Sequence, residues 1–384
     1  MTFKHLAAVA VAALLPFSVS AEDGVAPDSI TFGQVAAFEG PAGALGTGMR
    51  AGILAAFNEA NAGGGVHGRT LNLKSEDDGY EPDRSANAVK AMISSGDIFG
   101  LIGPVGTPTS KATQPIATAA NVPFVGPFTG AGFLRDASIS NVVNVRATYA
   151  AETEAWIAYL VDKRQFKNIA LLYQDDAFGR VGLSGVTAAL EKRGMTLAAE
   201  GTYTRNTTAV KSAVLSIRKA KPDAVVMVGA YKPVAEFIRL SKKLKMDSVF
   251  VNISFVGSAA LAEELGPDGE GVIISQVVPF PWDQSIQIVA DYQAAKKAMD
   301  PNSTPNFVSL EGYIVGRLTI AALEKAGPEP TREAFLKAVR SMSAYDLGGI
   351  TLDFGADDSQ GLDSVFLTEI TADGGFAPLE SPGS

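Results

Sequence analysis

Along most of the chain, short apolar runs alternate with segments whose apolar positions recur at helical spacing. The run at 30–38 reads as a first strand, and a glycine-rich loop follows at 39–46. Met49, Ile53, Phe57 and Ala60 then share one helical face, and Gly63-Gly-Gly65 stops that helix. An alternating strand around Leu71 and Leu73 leads through a turn at 77–80 to a helix opened by Pro82, with Ala86, Val89 and Ile93 on its apolar face.

Residues 98–102 have the length of a buried parallel strand and are cut off by Gly103-Pro104. Thr107 is expected to cap the next helix, and Pro108 to take its first position, where a fixed φ suits a helix and a missing N–H costs nothing. A strand that runs straight into a helix N-terminus offers free N–H groups and the positive end of a dipole, a natural seat for a carboxylate. Any βα turn in an α/β protein shares this form. A helix on Ala112, Ile116 and Ala119, a strand at 123–126 and the loop Pro127-Phe-Thr-Gly130 complete the first half, which ends near 144–146.

The same pattern then starts again. A helix on Tyr149, Thr153, Trp156 and Leu160 precedes a strand at 169–173 and the loop Gln174-Asp-Asp-Ala-Phe-Gly179. Further strands are expected at 197–203, 224–229, 249–253 and 271–278, separated by helices on Val210 and Val214 and on Val234, Phe237 and Ile238. Pro279-Phe-Pro-Trp282 breaks the series, after which helices return on Val289 and Tyr292 and on Phe307, Leu310 and Ile314. The tail at 348–370 alternates like antiparallel strands around a polar turn at 355–361. Strands alternating with helices imply parallel sheets covered on both faces, and two such series imply two α/β lobes.

A length of 384 residues exceeds one typical core and agrees with two lobes. The net charge of -9, with Lys and Arg scattered singly, argues against a nucleic-acid or anionic-membrane surface. Lys4 and His5, the apolar segment 6–17 and Val19-Ser-Ala21 have the form of a cleavable signal peptide, residues 1–21, which places the expected product in a bacterial periplasm. The chain has no cysteine, and so no disulfide, thiol nucleophile or acylated cysteine anchor.

Catalytic groups are scarce. His5 falls in the signal segment and His67 in a glycine-rich turn, so neither a Ser/His/Asp triad nor a histidine metal site is supplied, and no cofactor motif is present. The acidic pairs Asp77-Asp78 and Asp175-Asp176 read as loop or N-cap carboxylates. What remains is a set of strand-end loops in both lobes, with Thr107, Phe128, Thr129, Phe178, Tyr231 and Ser254 at positions where open α/β sheets bind ligands.

Several of these segments carry a family resemblance: Gln34-Val-Ala-Ala-Phe-Glu-Gly-Pro41, Phe57-Asn-Glu-Ala-Asn-Ala-Gly-Gly-Gly65, Glu76-Asp-Asp-Gly-Tyr-Glu-Pro82, Leu101-Ile-Gly-Pro104, Pro123-Phe-Val-Gly-Pro127 and Asp175-Asp-Ala-Phe-Gly179. In this order over the whole chain, they resemble the branched-chain amino-acid binding proteins, type I periplasmic proteins that deliver solutes to ABC transporters. The resemblance implies an α/β fold of two Rossmann-like lobes joined by three crossovers around a ligand cleft. The first lobe would be 28–147 plus 278–352 and the second 148–277 plus 353–380, with crossovers near Arg146, Val278 and Leu352.

It further implies a small carboxylate-bearing solute, an amino acid first and an aromatic or aliphatic acid second. Permease and ATPase subunits are the implied partners, with a monomeric binding component and no metal or cofactor. By the resemblance, Thr107 and the loop Phe128, Thr129 and Gly130 would hold the carboxylate; Phe178, Tyr231 and Tyr313 would cover the ligand; Leu45 would line its side-chain pocket. Where relatives meet the ammonium with a glutamate, this chain has Ser254, which cannot supply a charge-assisted bond. Either Glu39 or Asp175 takes over, or the ligand has no α-amine. The positions of a disulfide in relatives would be Tyr80 and Gly106. The rivals are a sensory binding protein of the same fold and a secreted α/β hydrolase, which would need a nucleophile–base pair.

Overall fold

The computed structural model describes residues 22–379, and the expected signal peptide lies outside them. The first lobe opens with β1 (Ser29–Ala36), α1 (Gly43–Ala62), β2 (Thr70–Asp77), α2 (Pro82–Ser94), β3 (Gly100–Ile102), α3 (Thr107–Ala119), β4 (Phe124–Val125) and β5 (Val142–Val143). The chain then crosses over and builds α4 (Tyr149–Ile157), β6 (Ile169–Gln174), α5 (Ala177–Glu191), β7 (Ala199–Tyr203), α6 (Lys211–Lys219), β8 (Ala224–Val228), α7 (Tyr231–Lys243), β9 (Val249–Asn252), α8 (Ser258–Leu265) and β10 (Ile273–Gln276). It returns to the first lobe with α9 (Gln287–Met299), α10 (Phe307–Ala326), α11 (Arg332–Arg340) and the short pair β11 (Tyr345–Asp346) and β12 (Thr351–Leu352), and ends in the second with β13 (Phe366–Ile370) and β14 (Phe376–Pro378).

The first sheet has the order β2-β1-β3-β4-β5 and is wholly parallel. In the second, β7-β6-β8-β9-β10 repeats that order, and β13 and β14 add an antiparallel edge beside β10. Helices on both faces explain why β8 is an unbroken apolar run, why β6 is one up to its last residue, Gln174, and why every residue of both is buried. Both orders place a topological switch beside the first strand, so ligands are expected at the carboxyl ends of the strands. The antiparallel partner of β13 is thus found on both sides, in β10 and β14, and not across 355–361 as the tail's alternation suggested; that segment's hydrogen bonds go elsewhere.

Those bonds define the crossovers. Asn144 N–H donates to Ser359 O at 2.7 Å, and Gly361 and Leu362 donate back to Asn144 and Val145 at 3.0 and 2.8 Å. The first and third connections therefore run side by side, residues 359–362 against 144–145. At the second connection, Phe280 and Trp282 join a ring cluster in which Phe307 of the first lobe lies 5.8 Å from Phe376 of the second.

Helix α10 is seated against α1 by glycines on both. A Cβ at Gly52 would lie 2.0 Å from the Ser309 carbonyl oxygen, and one at Gly312 would lie 2.4 Å from that of Met49. Only the missing side chains let the backbones touch, and this sets how deep α10 sits and where its next residue, Glu311, is held. Replacing Gly52 with Ala should force the helices apart and lower the urea midpoint by the equivalent of about 1–3 kcal/mol, the usual cost of overpacking; an unchanged midpoint would show that the two helices are not locked by this approach.

Candidate functional site

The site is built where the strands of both lobes end. After β3, Gly106 adopts φ 104° and ψ 151°, a region essentially open to glycine alone. A Cβ there would lie 2.2 Å from the Tyr80 ring, so the two positions matched to a disulfide in relatives are in contact here as ring on glycine. Gly106, and not Thr107, is the N-cap of α3; Thr107 is the first helical residue, and Pro108 the second. The expected cap is replaced because the Thr107 hydroxyl turns away to Thr129 Oγ1, 2.6 Å off in the loop after β4.

Tyr149, at the start of α4, brings a third hydroxyl to these two. Its N–H donates to Gly130 O at 2.8 Å, and a Cβ at Gly130 would strike the Tyr149 ring. The Tyr149 hydroxyl is buried close to those of Thr129 and Thr107 without a well-aligned hydrogen bond to either, and burial pushes its pKa up to about 12 against the pull of Arg146. Three neutral hydroxyls at the N-terminus of a 13-residue helix are suited to a carboxylate, since each can donate and the dipole favours the charge. An open groove of about 820 Å³ between α3 and α5 reaches Thr107 from solvent.

Aromatic rings form the wall. Phe255 of the second lobe lies 4.7 Å from Phe178 of the same lobe, and across the cleft 5.4 Å from Phe128 and 5.9 Å from Tyr80. Phe178 in turn lies 5.5 Å from Tyr149. These rings fill the space between the lobes in the closed arrangement.

The base of the cleft is charged. Arg146 is buried with its guanidinium carbon 4.6 Å above the Phe128 ring. Its Nη2 donates to Ser254 Oγ, and its Nε lies 3.5 Å from Glu311 Oε1. Glu152, also buried, accepts from the Ser254 amide at 2.8 Å, from Ser254 Oγ at 2.9 Å and from Ser275 Oγ at 2.5 Å. A second cation, the partly buried Arg135, donates to the carbonyls of Thr129, Ala131 and Arg146 and so ties the carboxylate loop to the crossover. Burial works against charge on Arg146, and Glu311, Tyr149 and Glu152 together outweigh it, so it stays protonated. Burial raises Glu311 to about 7 against the pull of Arg146, and lowers Arg135 to about 9.

A latch closes the rim. Arg205 of the second lobe pairs with Glu81 of the first at 2.7 Å and with Asp176 at 3.0 Å, while Asn206 donates to Gly79 O and Glu81.

Of the residues singled out in the sequence, Thr107, Phe128, Thr129, Gly130, Phe178 and Ser254 meet at this site. Leu45 lies beside Gly257 of the second lobe, and the Tyr231 hydroxyl accepts from the Ala44 amide at 3.4 Å, so both bridge the lobes at α1. Tyr313 does not reach the cleft: its hydroxyl bonds Glu59 at 2.5 Å on the far face of α10, because two residues from Glu311 is roughly 200° around a helix. The substitutes suggested for the missing glutamate do not serve either. Asp175 is half exposed and paired with Arg180, and Glu39 is exposed, whereas the buried acids beside Arg146 are Glu152 and Glu311. Arg146 and Glu311 were missed as site residues, yet each is the lone charge in a long neutral stretch, a signal that was there to read.

Two α/β lobes closing over strand-end loops define a ligand-binding protein of the periplasmic type. The profile of the family described as periplasmic binding protein matches residues 29–375, and the chain belongs to that family. It is 25% identical to the Leu/Ile/Val-binding protein BraC3 of Rhizobium johnstonii over 88% of this chain and 89% of that one. It is 24% identical to a leucine-, isoleucine-, valine-, threonine- and alanine-binding protein of Pseudomonas aeruginosa over 86% of this chain and 87% of that one. The crystal structure of a possible leucine/isoleucine/valine-binding protein from Rhodopirellula baltica superposes with a TM-score of 0.87 at 36% identity, covering 95% of this chain and 99% of that one.

The raised Glu311 has a measurable consequence. Its folded form holds a proton more tightly than the unfolded chain does, so its contribution to stability is complete below about pH 4.5 and is lost as pH rises through about 7. Wild type should lose on the order of 2–3 kcal/mol relative to Glu311→Gln between about pH 5 and 8, read by urea denaturation. Parallel pH profiles for the two proteins would refute the assignment. Asp78, raised by burial to about 6, acts in the same direction and cancels in the comparison.

Proposed function

We propose that this chain is the solute-binding component of an ABC importer, working in the periplasm, and that it captures a small carboxylate-bearing solute of amino-acid size between its lobes. The observation that carries this reading is the seat at α3, where the buried Tyr149 hydroxyl lacks a well-aligned partner beside Thr107 and Thr129. A solute carboxylate placed there would accept from Tyr149 and from whichever of Thr107 and Thr129 is not donating to the other. The names of the relatives, which bind branched-chain and related amino acids, support the size and the acid group. The importer's permease and ATPase would be separate chains, and the binding component a monomer without cofactor.

Capture follows from where the contacts lie. Thr107 and Thr129 of the seat belong to the first lobe, whereas Tyr149, Phe178 and Phe255 belong to the second, so a solute touching all of them gains its full interaction only when the lobes meet. Differential affinity of that kind shifts the population toward the closed form. No bond of the solute needs to change, and the polar groups that face it are hydroxyls and an ion pair.

A thermal-shift screen of amino acids and organic acids should return one class of hits, because ligand at 100 times Kd adds about 2.7 kcal/mol to stability. No hit in either library would overturn the reading. In the protein that binds, Thr107→Val, which keeps the shape and removes the hydroxyl, should weaken the hit by about tenfold in calorimetry. Arg205→Ala, remote from the seat, should weaken it by only about two- to fivefold, the worth of one partly exposed ion pair in the closed form.

A further inference from the structure

We propose that Arg146 determines which acid the cleft accepts: the end of the solute opposite the α3 seat, or its flank against Phe128, meets a guanidinium donor and not a carboxylate, so that the preferred solute is a flat, apolar, aromatic carboxylate without an α-ammonium. This rests on reading the cleft as the solute site.

The acceptors an ammonium would need are largely committed within the protein, and the free site on Glu152 Oε1 lies 4.0 Å from Arg146 Nη2. Both Glu152 oxygens are occupied by Ser254 and Ser275, and the Ser254 hydroxyl spends its proton on Glu152 while accepting from Arg146. Glu311 lies against Arg146, so an ammonium that reached it would sit beside a cation that burial leaves unscreened.

The donors, by contrast, are open. Arg146 Nη1 is buried with no hydrogen-bond partner, and Nε has only Glu311 at 3.5 Å. Leaving such groups unpaired is costly, and a guanidinium kept in place only to hold the lobes together would be paired through all its N–H groups. Around Arg146, Glu311, Ser254 and Phe128 the closed cleft keeps a void of about 10 Å³, which is about one water's worth, so no ligand-sized space exists until the rings move. Parting the lobes draws Phe255 away from Tyr80 and Phe128, and the slot it leaves has aromatic faces on both sides. A flat ring fits such a slot by offset stacking.

Charge agrees with this. The groups facing the site are Arg146 and Arg135 from the end of the first half, Glu152 from α4 and Glu311 from α10. Below about pH 7, where Glu311 holds its proton, the cluster is one positive charge in excess, which a monocarboxylate cancels and a zwitterion does not.

The test is calorimetry on the full mature chain with matched pairs: 3-phenylpropanoate against L-phenylalanine, and 4-methylpentanoate against L-leucine. The amine-free acid should bind at least about tenfold tighter in each pair, the difference expected when an ammonium is no longer held beside a buried guanidinium, and the aromatic acid should bind tighter than the aliphatic one. Equal binding, or preference for the amino acid, would overturn the inference while leaving the proposed function intact. No binding of any of the four would instead count against the cleft reading itself. The double variant Arg146→Met/Glu311→Leu removes the Arg146–Glu311 pair, leaves Glu152 held by Ser254 and Ser275, and should fold by circular dichroism; in it the affinity ratio of each pair should fall toward one. A folded double variant with the wild-type ratio would show that Arg146 is structural only. The wild-type comparison decides the matter even if the variant fails to fold.

Discussion

Keeping one guanidinium charged in a dry cleft is the constraint on which the rest of this structure depends. Arg146 stands at the end of the first half of the chain, and everything within reach of it has been arranged around its charge. Glu311 arrives from α10, Glu152 from α4 and Ser254 from the loop after β9, while Phe128 offers its ring face. A buried pair broken on one side leaves an uncompensated charge and costs several kcal/mol, so these four elements are held in register by electrostatics as well as by packing. Because two of them come from each lobe, the same group that punctuates the crossover also senses whether the lobes are together.

The neutral and charged ends of the site divide the work. At α3, three hydroxyls and a helix N-terminus can hold a negative charge without any formal cation, which leaves the ordinary solvation of the open cleft undisturbed. At the base, charge is already balanced within the protein to within one unit. The ring wall between them contributes area and shape. Closure is then resisted by little except the loss of water from these groups, and the Arg205 latch at the rim adds only the modest stability that a partly exposed ion pair gives.

Much of this was legible in the sequence. The alternation of strands and helices, restarting after residue 146, correctly announced two α/β lobes, and the strand-end loops carried Thr107, Thr129 and Phe178 into one place. Periodicity did not reach the rest, for physical reasons. Thr107 looked like a cap because Thr-Pro commonly begins a helix, but its hydroxyl found Thr129, a partner 22 residues away that no local rule names. Tyr313 was placed in the cleft by the resemblance alone, and because helix α10 is buried over nearly its whole circumference its pattern does not say which face turns inward. The glycines that settle the question, Gly52 and Gly312, do so through a backbone contact between segments far apart in the chain.

That last contact also bears on how the molecule comes into being. The five parallel strands of the second lobe, β6 to β10, lie in one continuous stretch, whereas α1 cannot complete its packing until α10 has been made and has returned to it. Long sequence separation makes such a contact slow to form, and apolar surface awaiting its partner is surface open to association. The first lobe is therefore the late-folding half of the protein, with the exposed α1 groove as the feature a chaperone or an export factor would have to shield.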